Sequence, residues 1–215
     1  MIKRLFDVFT SLFLLIILGP FFLILALLIK LSSKGPVFYR AERMGKDSQP
    51  FLMFKFRTMV IDADKKGKTF ITLSNQDITW LGVYLRILKL DELPQLLNVL
   101  LGDMSMVGPR PEIPSIVRSC YNLTQMKVLS VKPGLTCITQ VRHFPDLSYL
   151  TPAHVDSEQF YKQVLLPKKL NEDLAYIEQQ SLRFDLILIA QTIGVILKKG
   201  VPLVFKKLRL TASHR

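Results

Sequence analysis

The sequence predicts a mostly helical α+β protein that is anchored to a membrane near its N-terminus and carries a small β element. Residues 8–29 contain no charged side chain, and about 20 apolar residues are enough to cross a bilayer. Residues 35–60 alternate apolar and polar side chains and are rich in aromatics, which is typical of short strands. Most of the remaining chain shows a helical period interrupted by glycine and proline.

Composition excludes other classes of protein and favours a membrane. Of 215 residues, 49% are hydrophobic, which excludes a disordered chain. Two cysteines are too few for a disulfide scaffold, so we expect Cys120 and Cys137 to be reduced thiols in a cytosol-like compartment. The net charge of +12 suits a nucleic acid, an acidic membrane surface or a phosphorylated substrate. Together with a mean hydropathy of +0.29, this charge favours the membrane.

The apolar segment is predicted to be an anchor rather than a cleaved signal, since no small-x-small site precedes Lys30. Gly19 and Pro20 lie in its middle, and a proline there removes a helix hydrogen bond and predicts a kink. Basic residues flank both ends, which favours two cytoplasmic ends: Lys3, Arg4, Lys30 and Lys34. The residues alone leave two structures open, a helix–break–helix that enters and leaves on one face and a kinked transmembrane helix.

The next elements surround a conspicuous acidic pair. Two strands within residues 35–60 are predicted to be joined by a turn at 45–50, and a helix is predicted over 80–88. A further helix is predicted to open at Asp91, with Pro94 in its first turn, and to close at Gly102.

The second half of the chain is predicted to be helical with one strand. The expected elements are a loop at 108–111, a helix in 112–129, a turn at 132–134, a strand at 135–141 and an amphipathic helix in 152–182. Residues 186–197 are apolar but too short to span, so they predict a core or interfacial helix. The tail at 198–215 has six basic residues and no acid, which suits an anionic membrane surface; the alternative is a frayed basic tail.

Asp91 and Glu92 form the first candidate site. Two carboxylates at a helix start are an ordinary acidic first turn, and from spacing alone that interpretation is favoured. The same pair could act as a nucleophile toward phosphorus or hold Mg²⁺.

Basic residues near glycine and proline form a second candidate set. Arg110 lies between Pro109 and Pro111, and a rigidly held guanidinium suits bidentate phosphate binding. Lys55 and Arg57 would share one face of a strand. Arg86 and Arg142 complete the candidates, and solvated surface charge or contact with lipid is the alternative for all of them. No nucleic-acid-binding module, P-loop or zinc-ligand spacing is present, so no nucleic-acid partner is expected.

Taken together, these motifs resemble the bacterial sugar transferases, the small monotopic phosphoglycosyl transferases that start polyprenol-linked glycan assembly. The match covers nearly the whole chain in order, and its most specific stretch is LDELPQLLNVLLGDMSMVGPRPE at 90–112. The other matching stretches are KRLFD at 3–7, GPVFYRAERMG at 35–45, FKFRTM at 54–59, KPGLT at 132–136, QV at 140–141 and NEDLAYIEQQSLRFDL at 171–186.

The resemblance implies a reaction and reverses the ordinary interpretation of the acidic pair. A UDP-sugar would donate its sugar phosphate to undecaprenyl phosphate and release UMP, through a phosphosugar-aspartyl intermediate at Asp91. Glu92 would serve the metal or the proton, and Mg²⁺ would bind at Asp91 and Glu92. The implied substrate-binding residues are Lys55, Arg57, Arg86, Arg110, Gln140, Arg142 and Asp173.

The resemblance also implies an organisation and a location. It favours the re-entrant anchor, with residues 1–34 in one leaflet, a cytosolic catalytic domain at 35–200 and a basic membrane-surface tail at 201–215. The protein would be monotopic on the cytoplasmic face of the bacterial inner membrane, with membrane lipid as a partner; a homodimer stays open. The pathway would be the first membrane step of O-antigen, capsule, exopolysaccharide or glycoprotein glycan assembly.

Three departures and two alternatives accompany the resemblance. Gly19-Pro20 replaces the common Ser-Pro of the family, Cys137-Ile138 replaces a Gly-containing pair, and Arg142-His143-Phe144 replaces Asn-Gly-Arg, which leaves the sugar open. One alternative is a non-catalytic membrane scaffold that kept the fold, and another is a basic membrane protein that recruits nucleic acid.

Overall fold

The computed structural model describes residues 2–61, 63, 77–143 and 157–212, and it is mostly helical with a small amount of sheet. This confirms the predicted mixture of helices and a small β element. The helices are α1 (Ile2–Ser32), α2 (Trp80–Ile87), α3 (Gln95–Leu101), α4 (Pro114–Cys120), α5 (Ile138–Arg142), α6 (Ser157–Phe160), α7 (Leu166–Glu178), α8 (Leu182–Val195) and α9 (Val201–Ala212). The strands are β1 (Phe38–Met44), β2 (Pro50–Phe56), β3 (Ser105–Val107) and β4 (Gly134–Thr136).

The predicted hairpin is confirmed. β1 and β2 pair antiparallel from Phe38↔Phe56 to Met44↔Pro50, and a short 3-10 helix at Lys46–Ser48 joins them. β3 and β4 form a separate parallel pair, which the sequence did not predict as a sheet.

The strand predicted at 135–141 is wrong after Thr136. β4 ends there, and α5 begins at Ile138. The β-branched side chains in this stretch favour a strand, but α5 packs against α7 and α8, and this packing overrides the local preference.

The helix predicted within 112–129 is divided into two. α4 ends at Cys120, and a 3-10 helix covers Gln125–Ser130. Between them Asn122 and Gln125 exchange hydrogen bonds, each backbone N–H donating to the other's side-chain oxygen at 2.9 Å. These side-chain bonds compete with the helix ladder and make a turn.

The predicted helix–break–helix is not confirmed, because α1 is one helix of 31 residues that continues through Gly19 and Pro20. One of its faces packs on the rest of the protein near both ends and in the middle, through Phe6, Leu14, Leu18, Leu25 and Ile29. The opposite face is exposed and apolar, with side chains such as Phe9, Ile16, Leu23 and Leu31. The re-entrant path through a membrane stays a prediction.

The main core lies between α3, the β3–β4 pair, α7 and α8. Leu96, Val99, Met104, Val107 and Tyr176 are almost completely buried there. A second cluster joins α4 to the helix at 157–178 through Ile116, Leu166 and Leu170. The first cluster joins α3 to α5 through Leu96 and Ile138.

The C-terminal half of the described chain ends in long helices. Single π turns at Tyr161–Leu165 and Ile196–Gly200 connect α6 to α7 and α8 to α9, so the apolar stretch at 186–197 is part of a longer helix. By length and composition alone, Ile2–Ser32 and Leu182–Lys207 could each cross a membrane. The basic tail is helical as far as Ala212, while residues 152–156 of the predicted amphipathic helix lie outside the described residues.

Candidate active site

The acidic pair lies in a 3-10 turn, Leu90–Glu92, between α2 and α3. α3 starts at Gln95 with Pro94 as its N-cap, so the prediction that the helix opens at Asp91 is wrong by one turn. Lys89 precedes the turn with a left-handed φ of 57°. The reversal directs both carboxyl groups inward, and Asp91 and Glu92 are only 6% and 4% exposed.

Glu92 is saturated with cationic and amide partners. Its Oε1 accepts from Lys55 Nζ at 3.0 Å and from Arg110 Nη2 at 2.6 Å. Its Oε2 accepts from Arg110 Nη1 at 3.2 Å and from Gln140 Nε2 at 3.3 Å. Burial by itself would raise the pKa of Glu92, but Arg110 and Lys55 outweigh it and hold that pKa well below its usual range.

Asp91 has the opposite environment. Its Oδ1 is buried and accepts no hydrogen bond from any described residue. Burial raises the pKa of Asp91 above its usual value, and the charge of Lys55 opposes that rise in part. Asp91 therefore presents an uncommitted oxygen beside fixed positive charge.

The other predicted residues are divided between this centre and its surroundings. Lys55, Arg110 and Gln140 converge on Glu92, as the preceding distances show. Arg86 donates from Nε to Thr58 Oγ1 at 2.8 Å, and its charge is a small further influence against the rise in the pKa of Asp91 that burial causes.

Arg57 points elsewhere. Its guanidinium donates to the backbone oxygen of Ser33 at 2.8 Å and to that of Lys34. These carbonyls follow the end of α1, so in this structure Arg57 caps the anchor helix instead of joining the Glu92 cluster. Its substrate-binding role stays a prediction.

Arg142 lies on α5, two residues after Gln140, and Asp173 lies on α7. Arg142 Nη1 is 3.5 Å from Glu172 Oε1, and its side chain is 56% exposed. Asp173 is 1% exposed. Neither of its oxygens has a hydrogen-bond partner within the described ranges.

Four further polar residues were not singled out from the sequence. Lys169 Nζ donates to Glu112 Oε2 at 2.9 Å, and Tyr161 donates to the same oxygen. Gln95, one turn after the acidic pair, is buried with an Nε2 that lacks a partner in the described part of the chain. Gln95 and Glu112 lie within the matching stretch 90–112, but their polarity alone assigned no role to them, and Tyr161 and Lys169 read as ordinary polar residues of a helix.

The carboxyl oxygens of Asp91 and Glu92 differ in how well they suit Mg²⁺. The described residues contain no group of three or more His, Cys, Asp or Glu side chains that could hold a metal, but Mg²⁺ needs only one or two carboxylates plus substrate phosphates. The unpartnered Asp91 Oδ1 fits this requirement. Both Glu92 oxygens are occupied by Lys55, Arg110 and Gln140, which argues against Glu92 as a second ligand.

The chain is similar to known proteins over most of its length. The sequence profile described as bacterial sugar transferase matches residues 1–199. The chain belongs to this family. The sugar transferase is 33% identical over 216 residues to the exopolysaccharide production protein ExoY of Rhizobium meliloti (strain 1021), which covers 93% of this chain and 88% of the relative.

Two longer relatives carry explicit names. The sugar transferase is 35% identical over 193 residues to a UDP-glucose:undecaprenyl-phosphate glucose-1-phosphate transferase of Klebsiella pneumoniae, with 89% of this chain and 39% of the relative covered. It is 34% identical over 198 residues to a UDP-N-acetylgalactosamine-undecaprenyl-phosphate N-acetylgalactosaminephosphotransferase of Aeromonas hydrophila, with 91% and 44% covered. The chain thus spans less than half the length of these two proteins.

Proposed function

We propose that this sugar transferase moves a sugar 1-phosphate from a UDP-sugar to undecaprenyl phosphate and releases UMP. The names of the relatives from Klebsiella and Aeromonas support the substrate classes. The observation that carries the proposal is the buried, unpartnered Oδ1 of Asp91 next to the cations that converge on Glu92. A scaffold would have no need to bury an uncommitted carboxylate at this cost in solvation.

In the first step the Asp91 carboxylate attacks the β-phosphorus of the UDP-sugar. The bond from that phosphorus to the bridging oxygen breaks, and UMP leaves with the electron pair. The sugar phosphate is then joined to Asp91 as an acyl phosphate. Covalent catalysis of this kind divides one difficult transfer into two.

In the second step an oxygen of undecaprenyl phosphate attacks the same phosphorus. The bond between phosphorus and the Asp91 oxygen breaks, which restores the carboxylate and yields an undecaprenyl diphosphate sugar. Neither step requires a proton from the protein, because both attacking oxygens are anionic. Because UMP has left before the acceptor attacks, the two bulky anionic substrates never need to occupy the site together.

Glu92 is proposed to position cations instead of transferring a proton. A carboxyl group whose pKa is held far below its usual range stays ionised at neutral pH. It fixes Lys55 and Arg110 toward the phosphates, where they offset negative charge in the transition state. Mg²⁺ bound at Asp91 would supply further charge neutralisation of the diphosphate.

The membrane acceptor explains the anchor. Lys3 Nζ donates to the Val107 carbonyl at 3.0 Å at one end of α1, and Arg57 binds the Ser33 carbonyl beyond the other end. Since both ends contact the same domain, we propose that α1 enters and leaves on the cytoplasmic face of the bacterial inner membrane. The polar head of the acceptor would then meet the site at the interface, in a first membrane step of glycan assembly.

The test is mass spectrometry after a brief exposure of the purified full chain to UDP-glucose or UDP-N-acetylgalactosamine with Mg²⁺ and without acceptor. We expect a sugar-phosphate adduct on the peptide containing Asp91 and its loss on adding undecaprenyl phosphate. Asp91→Asn should form no adduct and should not turn over. Glu92→Gln should lower turnover while leaving some adduct.

The released nucleotide separates the alternatives. UMP release supports the proposal, whereas UDP release would indicate ordinary glycosyl transfer and refute the mechanism. No release with any UDP-sugar favours the scaffold. An adduct on another residue, or near-parent turnover of Asp91→Asn, would replace the covalent route by a different one.

A further inference from the structure

Glu112 is a buried carboxylate that takes no part in the two transfer steps. It lies two residues after Arg110, at the end of the loop at 108–112, and it is 7% exposed. Its Oε2 accepts from Lys169 Nζ on α7 at 2.9 Å and from the hydroxyl of Tyr161 on the preceding π turn. The side chain of Glu112 therefore joins the loop that carries Arg110 to the helical stretch that leads into α7.

The backbone of the same loop is held at two points. Before Arg110, the Pro109 carbonyl accepts from the Gly134 N–H of β4 at 2.9 Å. After it, the Glu112 carbonyl accepts from the Met44 N–H of β1 at 2.8 Å. Only Arg110 and one proline lie between these points, and a proline ring fixes its own φ. The position of the Arg110 backbone therefore depends on where Glu112 is held.

Stability alone does not account for an ion pair buried here. Lys169 is 4% exposed. Burial by itself would raise the pKa of Glu112, but the charge of Lys169 and hydrogen bonds to the carboxyl group hold that pKa below its usual value, so the pair is ionised at neutral pH. Buried ion pairs are often no more stabilising than apolar side chains of the same volume, because both charges lose their hydration. They do fix position, because each charge loses much free energy if its partner moves away.

We propose that Glu112 is a positioning residue that acts through Arg110. Its ion pair with Lys169 holds the loop where both Nη atoms of Arg110 reach the oxygens of Glu92, at 2.6 and 3.2 Å. This inference rests on the proposed function, in which the same guanidinium offsets phosphate charge. It follows that the ion pair matters for the reaction only while a two-pronged guanidinium is present to be positioned.

The experiment is a double-mutant cycle on the rate of adduct formation by the full chain in detergent, with Mg²⁺ and UDP-glucose or UDP-N-acetylgalactosamine. The variant Glu112→Gln/Lys169→Met removes both charges together, so that no unpaired charge stays buried. We expect it to lower the second-order rate constant about 10- to 100-fold, since misplacing a group by about 1 Å can cost about 100-fold. In an Arg110→Lys background the same two substitutions should cost less than about 2-fold more, because residues that act through one another are not additive.

The nitrogen NMR signals of Arg110 give a readout that needs no turnover. They are assigned in arginine-labelled protein as the signals that Arg110→Lys removes. In the parent the two Nη groups are fixed on Glu92 and should give separate signals. In Glu112→Gln/Lys169→Met these signals should merge, because a guanidinium that rotates freely averages them. A contact that only held the helices together would leave the two signals separate.

A matched control removes a second ion pair from the same helical stretch. Glu158 and Lys162 pair at 2.7 Å on its exposed side, so Glu158→Gln/Lys162→Met should keep the rate and the Arg110 signals of the parent. If the variant without the buried pair does not fold, Tyr161→Phe decides. It keeps both buried charges and deletes one hydrogen bond to Glu112, so it should slow adduct formation in the parent and not in Arg110→Lys.

The outcomes are distinct. Parent-like rates in the folded variants, losses that add fully to that of Arg110→Lys, or Nη signals that stay separate would each overturn the inference. If the parent itself forms no adduct with either UDP-sugar, the proposed function fails. The Arg110 signals then decide the positioning role by themselves: merged signals in Glu112→Gln/Lys169→Met support it, and separate signals refute it.

Discussion

Asp91 and Glu92 are neighbours of the same chemical type and similar burial, yet the pKa values of their carboxyl groups shift in opposite directions. Glu92 receives a bidentate guanidinium, an ammonium and an amide. Asp91 Oδ1 receives nothing from the described residues. Partners, not residue type, therefore separate a positioning carboxylate from a reactive one.

Activity should depend on pH through Asp91 and Lys55. Burial raises the pKa of Asp91, so the reactive carboxylate is lost at a higher pH than for an ordinary aspartate as the solution is acidified. Burial also lowers the pKa of Lys55, so its charge is lost at a lower pH than for an ordinary lysine as the pH rises. We expect a bell-shaped pH profile of adduct formation. Its acid limb should lie at a higher pH, and its alkaline limb at a lower pH, than an ordinary aspartate and an ordinary lysine would give.

The profile is measured as single-turnover adduct formation across the pH range. Lys55→Arg, which keeps its charge at every accessible pH, should lose the alkaline limb if it retains activity. An alkaline limb unchanged in active Lys55→Arg would assign that limb to another group.

Activity should depend on the two-pronged guanidinium of Arg110. The two guanidinium nitrogens contact both Glu92 oxygens, and lysine keeps the charge but cannot make two parallel bonds. We expect Arg110→Lys to lower kcat/KM. The loss should correspond to about 1–3 kcal/mol of transition-state stabilisation, the typical range for hydrogen bonds to charged groups. Arg118→Lys on the exposed side of α4 is the control, and parent-like kinetics in Arg110→Lys would mean that diffuse charge is sufficient.

At the scale of elements, both ends of α1 contact other parts of the described chain. Arg4 donates to the carbonyls of Val99 and Leu100 at 2.6 and 2.8 Å, at the end of α3. Ile29 and Leu25, near the other end of α1, pack with Phe56 of β2. A helix held in this way can carry its exposed apolar face into one leaflet while the domain stays on one side.

Cysteine labelling tests this topology. Single cysteines at positions 2 and 60, both exposed, are introduced after Cys120 and Cys137 are replaced by serine. A membrane-impermeant maleimide should label neither position in intact spheroplasts and both after permeabilisation. Labelling of position 2 in intact cells would establish a through-span. Pro20→Leu, which restores a helix donor, should favour that span and lower activity.

At the scale of the molecule, α1 shares a core with the rest of the described chain. Leu14 and Leu18 of α1 pack on the same cluster as Met104 and Tyr176, so α1 is also an element of the core. The exposed apolar faces of α1 and α8, with the basic residues of α9, suit an anionic membrane surface. The boundaries at residues 34 and 200 stay predictions.

The sequence by itself determined the features that depend on local pattern. The apolar segment, the β1–β2 hairpin, the end of α3 at Gly102 with its φ of 101° and the Asp91-Glu92 motif each follow from a few adjacent residues. These features can be predicted from the sequence because backbone preference and hydrophobic period act over only one or two turns.

Only the tertiary structure decided what distant residues do to one another. It made Ile138–Arg142 a helix, directed Arg57 to the end of α1, saturated Glu92 and left Asp91, Glu172 and Asp173 with unpaired oxygens. Each of these outcomes depends on burial and on the approach of groups far apart in the chain. Desolvation and charge pairing arise only when the chain has folded, which is why the motif could be recognised from sequence while the division of labour within it could not.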